Sequence, residues 1–220
     1  MAMTRRRWLA HCSAALALAA AAAAMPAFAA ATRTLLVVGD SLSAEYGLVR
    51  GTGWVALLEK RLADEKIPAQ VVNASISGDT TSGGRSRLAA LLKQHHPSLV
   101  VLELGGNDAL RGLPLTMTQA NLAEMARMAK AAGARVLIVG MQVPPNYGRK
   151  YSEDFAAVFA AVAQRENAAL VPFLLKGVAD VPQAESLFQP DRIHPREAAH
   201  VTMLDNVWPV LRGLLVGGRH

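Results

Sequence analysis

The sequence predicts an α/β fold in which a five-stranded parallel sheet lies between two layers of helices. After residue 34, short apolar runs alternate with longer segments of helical periodicity. Runs such as Leu35-Leu36-Val37-Val38 and Leu99-Val100-Val101-Leu102 carry no polar residue at alternate positions, the pattern of strands buried on both faces. Strict strand-helix alternation requires crossover connections, which make neighbouring strands parallel and cover both faces of the sheet with helices. The expected architecture is a three-layer α/β/α sandwich of flavodoxin-like type.

The elements follow in order. The first strand, 35–38, stops at the turn residues Gly39-Asp40-Ser41. Over 54–66, Trp54, Leu57, Leu58 and Leu62 recur at helical spacing, and Ile67-Pro68 closes the helix. A second strand at 70–73 is followed by a loop rich in Ser, Gly and Thr over 75–84, then a helix over 85–95 that stops before Pro97. The third strand, 99–102, runs into Gly105-Gly106-Asn107-Asp108. A helix over 118–132 ends at Gly133, a residue suited to the left-handed cap, and 135–140 is the fourth strand. A helix over 152–167 leads to the fifth strand at 169–173. After a loop over 174–190, a last helix starts at about Pro195, where proline suits the first turn, and Pro209 is expected to kink it.

Residues 1–29 read as a cleaved secretory signal, leaving 30–220 as one domain. Arg5-Arg6-Arg7 precede an Ala/Leu-rich run, Pro26 breaks it, and Ala27-Phe28-Ala29 fits a small-x-small cleavage site. Thr4 to Leu9 also approximates a twin-arginine signal. The expected location is therefore periplasmic or secreted, with no stable membrane span after cleavage. A chain of 220 residues with 52% hydrophobic and 18% charged residues is neither disordered nor long enough for two full domains. Its one cysteine, Cys12, excludes a disulfide framework and a cysteine zinc module. Of the net charge of +6, the three signal arginines contribute half, leaving +3. With no cluster of Lys, Arg and aromatic residues, a nucleic-acid partner is not expected.

In open parallel sheets, ligands bind outside the carboxyl ends of the strands, near the point where strand order reverses. The polar, glycine-rich segments 39–43, 75–84 and 105–108 all fall at such ends. Ser41, in a strand-to-helix turn, sits where a nucleophile is exposed and aimed at a helix N-terminus. Alone, Gly-Asp-Ser serves equally well as a turn or helix cap. A nucleophilic serine needs a base, and the chain after the signal offers His95, His96, His194, His200 and His220. Only His194 lies in a loop at a helix start with a carboxylate three residues before it, in Asp191-Arg192-Ile193-His194. Asp191 can fold back onto Nδ1 and leave Nε2 free to take the serine proton. Donors for a tetrahedral oxyanion are available from the backbone N–H groups of Ser41 and Gly78 and the side-chain amide of Asn107.

These elements occur together in long stretches: Gly39-Asp40-Ser41-Leu42-Ser43-Ala44, Val72 through Thr80, Leu104-Gly105-Gly106-Asn107-Asp108, and Ile193-His194-Pro195. Over nearly the whole chain after the signal, the sequence resembles the SGNH hydrolases of the GDSL type. Within them it is most similar to the bacterial periplasmic acyl-thioesterase, lysophospholipase and arylesterase group. The resemblance implies the SGNH hydrolase fold, Ser41 as nucleophile, Asp191 and His194 as its triad partners, and Ser41, Gly78 and Asn107 as the oxyanion hole. It implies a structural Asp40 and a substrate-covering segment over 141–151. Glu45 stands where the family usually has Gly or Ala, and Arg192 where it usually has Gly, so both are expected to bear on substrate preference.

The expected function is hydrolysis of esters, thioesters or lysophospholipids through an acyl-enzyme, with neither metal nor organic cofactor. A metal-dependent phosphoesterase is the first alternative, although it needs more loop histidines than this chain offers. A non-catalytic acyl-chain binding protein is the second, and its mark would be a missing triad member.

Overall fold

Short segments rich in apolar and β-branched residues form the strands. In the computed structural model, which describes residues 33–217, these are β1 (Arg33–Gly39), β2 (Ala69–Asn73), β3 (Leu99–Glu103), β4 (Arg135–Val139) and β5 (Ala169–Val171). The expected signal segment therefore lies outside the described residues. All pairings are parallel and the order is β2-β1-β3-β4-β5. Leu36 pairs with Val72 on one side and Val100 on the other. Leu35 to Val38 and Val100 to Leu102 have no solvent exposure, and full burial of such a side chain contributes about 1.5–3 kcal/mol.

The helices are α1 (Trp54–Asp64), α2 (Thr81–His95), α3 (Gly106–Leu110), α4 (Leu115–Ala131), α5 (Arg149–Arg165), α6 (Ala184–Leu187) and α7 (His200–Val216). α1 and α7 pack together on one side, while α2, α4 and α5 pack in sequence on the other. α1 turns Trp54, Val55, Leu58 and Leu62 inward, which is the helical spacing visible in the sequence. His200 at the start of α7 is buried, and its Nδ1 accepts the Trp54 N–H at 3.0 Å. It is a cap for α1, not a candidate base, and burial holds its pKa below the usual histidine value.

Several elements differ from expectation, some for local and some for tertiary reasons. α2 starts at Thr81, not residue 85, because Thr80 Oγ1 accepts the Gly83 N–H and Asp108 Oδ2 accepts the Thr81 N–H at 2.9 Å. Helix thus begins inside the glycine-rich loop, and Gly84 is required there: a Cβ would lie 2.3 Å from Leu104 Cδ1. α3 was not expected at all, since five residues carry too little periodicity to register. The last helix starts at His200 rather than Pro195, because Gln189 donates to the His194 carbonyl and Arg196 to the Leu187 carbonyl, holding 194–196 extended. β5 stops at Val171, just before Pro172, which has no N–H to pair. α7 runs unbroken through Pro209.

After β1 the chain goes to β2 at one edge, then returns to place β3 on the other side of β1. The strand order reverses between β1 and β3, which places the crevice between their carboxyl ends. Ser41 follows β1, Gly78 follows β2 and Asn107 follows β3, so all three segments leave the same edge of the sheet.

Candidate active site

The turn that carries Ser41 is built by Asp40. Its carbonyl accepts the N–H groups of Ser43 and Ala44 at 3.2 and 2.9 Å. Its Oδ1 accepts the Leu42 N–H at 3.0 Å, an Asx turn. The chain thereby makes one tight turn immediately after β1 and leaves Ser41 partly exposed. Gly39 is needed because a Cβ would come within 2.9 Å of Ser43 Cβ, Ser43 Oγ and Glu103 Oε2.

Ser41 Oγ lies 2.9 Å from His194 Nε2, and His194 Nδ1 lies 2.7 Å from Asp191 Oδ2. Asp191 Oδ1 accepts the N–H groups of Ile193 and His194 at 2.9 and 3.0 Å, so one carboxylate both closes the 191–194 turn and orients the imidazole. Burial raises the Asp191 pKa, but the His194 N–H, the His194 ring and the Ile193 N–H outweigh it and hold the carboxyl at about 2. The turn also explains the usual glycine at 192: Arg192 adopts φ +58°, the left-handed region that glycine enters freely.

Asn107 opens α3 and its Nδ2 donates to Asp40 Oδ2 at 3.1 Å, leaving the second amide hydrogen uncommitted. Gly78 adopts φ +78°. Among the described residues the Ser41 and Gly78 N–H groups have no acceptor. The Gly78 loop is braced twice. Arg87 donates to the Asp79 carboxylate at 2.9 Å and to the Ala74 carbonyl, and Arg111 Nη2 donates to the Gly78 carbonyl at 2.7 Å. Arg111 caps α3, so it ties the Gly78 loop to the helix that carries Asn107. Asp108 points the other way, into the core, where it accepts from Thr81 and Thr118.

Behind the turn sit two buried acids. Burial pushes Asp40 up to about 6, against the lowering effects of the Leu42 N–H, His194 and the Asn107 amide. The pKa of Glu103, 1% exposed, lies well above its ordinary value, raised first by burial and then by the Asp40 charge. Its Oε2 accepts the Ser43 hydroxyl at 2.7 Å, and Ser43 Oγ accepts the Trp54 indole N–H at 3.2 Å. Its Oε1 has no partner among the described residues, an arrangement suited to a neutral acid and costly for a carboxylate.

The structure therefore brings Ser41, His194 and Asp191 into hydrogen-bond contact and links Asn107 to the same turn through Asp40. The Glu45 carboxylate accepts the N–H groups of Gly51 and Gly53 at 2.8–3.1 Å and closes the 45–53 loop. Arg192 is 78% exposed and lies 3.9 Å from Glu185. Sequence reasoning missed Glu103 and Arg111. Of these only Glu103 left a signal, as an acid ending an otherwise apolar strand. Among the described residues no group of three or more His, Cys, Asp and Glu side chains forms a metal-binding cluster. A hollow of about 460 Å³ between α1 and α7, lined by Leu57, Lys60 and Val201 among others, contains none of the candidate residues.

The sequence matches the model of the GDSL-like Lipase/Acylhydrolase family over residues 37–201. It is 58% identical over 186 residues to Esterase TesA of Pseudomonas aeruginosa, covering 84% of this chain and 91% of the relative. It is 44% identical over 177 residues to Thioesterase 1/protease 1/lysophospholipase L1 of Escherichia coli strain K12, covering 80% and 82% respectively. The crystal structure of TesA superposes with a TM-score of 0.80 at 57% identity, covering 83% of this chain and 100% of that one. Matched motifs, matched fold and high identity over most of both chains agree, and the chain belongs to the GDSL-like lipase/acylhydrolase family.

Proposed function

We propose that this protein is an exported serine esterase that hydrolyses carboxylic esters and thioesters, lysophospholipids among them, through a Ser-His-Asp triad. The observation that carries the reading is the unbroken relay from Asp191 through His194 to Ser41, at 2.7 and 2.9 Å. Relatives named esterase, thioesterase, lysophospholipase and arylesterase support the substrate class. Export rests on the sequence of residues 1–29.

In the first half-reaction Ser41 Oγ attacks the substrate carbonyl carbon while its proton passes to His194 Nε2. Asp191, bonded to Nδ1, holds the ring in the tautomer that accepts this proton and stabilises the imidazolium that forms. The carbonyl oxygen becomes an oxyanion, received by the Ser41 and Gly78 N–H groups and the free hydrogen of the Asn107 amide. Collapse of the tetrahedral species returns the proton to the departing alcohol or thiol and leaves an acyl-Ser41. Water, deprotonated by His194, repeats the addition and releases the acid. Asp40 holds the Asn107 amide and braces the nucleophile turn. The 141–151 segment follows β4, whose carboxyl end lies at the same sheet edge, and serves to cover the acyl group.

The test is hydrolysis of short- and medium-chain p-nitrophenyl esters by the mature protein and by Ser41→Ala, with a fluorophosphonate probe and with a chelator in parallel. Turnover that survives the chelator, and labelling that disappears with turnover in Ser41→Ala, is the expected result. Folded wild-type protein that neither turns over ester nor takes the probe would overturn the proposal in favour of an acyl-binding role. Chelator-sensitive phosphodiester hydrolysis without ester hydrolysis would favour the phosphoesterase.

A further inference from the structure

The Tyr46 side chain stands apart from the hydrophobic core. It is 49% exposed, it lies outside the hydrophobic core and the residues packed against it, and its hydroxyl has no hydrogen-bond partner among the described residues. Yet its ring sits against the His194 imidazole, with centroids 4.2 Å apart and planes tilted by 36°. The other aromatic pairs, along Tyr147, Tyr151, Phe155 and Phe159, are 5.2–6.4 Å apart. Backbone contacts hold this ring from both sides of the site. The Tyr46 N–H donates to the Ser41 carbonyl at 3.3 Å, and the Tyr46 carbonyl accepts from Gln189 Nε2 at 2.9 Å. Gln189 in turn bonds the carbonyls of His194 and Pro195 at 2.8 and 3.2 Å. Gly47 permits the approach, since a Cβ there would lie 2.2 Å from Gln189 Oε1.

We propose that Tyr46 is a positioning residue for the proton relay: its ring covers one face of the His194 imidazole, fixes the ring plane between Asp191 and Ser41, and stabilises the imidazolium. The inference rests on the Ser-His-Asp reading. The face of an aromatic ring carries negative potential and attracts a cation. His194 becomes that cation only as Ser41 gives up its proton, so the attraction is stronger in the transition state than in the bound ground state and enters kcat rather than KM. The other groups facing His194 are Asp191 at Nδ1, Ser41 at Nε2 and the buried Asp40 behind the turn. Tyr46 supplies an uncharged face that also fixes geometry.

Steady-state kinetics on p-nitrophenyl butyrate separate this role from packing or substrate contact. Tyr46→Leu keeps an apolar cover but loses the π face, and kcat is expected to fall about three- to tenfold with KM little changed. Tyr46→Phe and Tyr46→Trp keep the face and are expected to stay within about twofold of wild type. Melting temperatures verify folding, and Tyr46→Met replaces the Leu variant if the latter is unstable. Wild-type kcat in Leu or Met would overturn the proposal, as would a loss confined to KM, which marks a substrate wall. An equal loss in Phe and Leu would assign the effect to the hydroxyl and overturn it too. Wild-type protein without ester turnover would instead overturn the serine esterase reading beneath it.

Discussion

Replacing Asp40 with Asn separates catalysis from stability, because this carboxylate serves the site while its burial burdens the fold. Asp40 Oδ2 receives the Asn107 amide at 3.1 Å, and a hydrogen bond to a charged acceptor is worth about 1.5–3 kcal/mol. In Asp40→Asn only one of the two side-chain acceptors remains, so Asn107 loses its anchor unless Leu42 does. At about 1.4 kcal/mol per decade, kcat is expected to fall about 10- to 100-fold, less than the 10²–10³ typical of deleting an oxyanion donor outright. Stability moves the other way. Burial holds the folded pKa at about 6 against an ordinary aspartate value of 3.8. Between these values the folded state binds more protons than the unfolded one, so wild-type stability falls as pH rises through that window. The cost is absent below about pH 4, complete above pH 6 and about 3 kcal/mol in size. Asn has no charge to bury. Urea unfolding of both proteins at pH 4 and 8 should therefore show the variant gaining on wild type at the higher pH, while p-nitrophenyl ester assays at pH 8 show it losing activity. Wild-type kcat in Asp40→Asn would refute the reasoning. So would the same fold-loss in an Asn107→Ala background, since residues acting through one another must not contribute independently.

Three further outcomes follow from local geometry. The lowered pKa of Asp191, at about 2, means its ionised contacts stabilise the fold above about pH 4 and are lost as pH falls toward 2; the melting-temperature gap between wild type and Asp191→Ala should be constant above that range and close within it. Gly140→Ala places a Cβ 2.3 Å from the Pro172 carbonyl oxygen, a backbone atom that cannot swing away, so chemical denaturation should show a loss of about 1–3 kcal/mol. Arg192→Gly relieves a left-handed φ of +58° and should raise stability by up to about 1 kcal/mol, net of the entropy glycine adds to the unfolded chain, with kcat on neutral esters unchanged.

The strands were the most legible part of the chain. Leu35 to Val38 and Leu99 to Leu102 announce burial on both faces without reference to any partner, and their alternation with amphipathic helices restricts the topology to a parallel sheet. Ser41, His194 and Asp191 were legible for a related reason. Each stands at an element end beside turn residues, and the D-x-x-H spacing is local enough to close within one turn. The α2 boundary was less legible, because Gly83-Gly84 opposes helix locally and only the crossing of Leu104 and the cap from Asp108 reverse that preference. The contacts of Glu45 were no more legible: four residues after Ser41, it turns its carboxylate onto the N–H groups of Gly51 and Gly53.

By itself, then, the sequence determined the layers, the strand count and the three chain segments that meet at one sheet edge, since these follow from hydrophobic period and turn chemistry within a few residues. Tertiary structure alone decided which of those residues touch. His194 reaches Ser41 across 153 positions of sequence. Gln189 crosses 143 positions to Tyr46 and Arg111 crosses 33 to Gly78. Such contacts have no period or motif to announce them. They arise where strand order reverses and loops from distant parts of the chain are packed against one another, so they exist only once the sheet has formed.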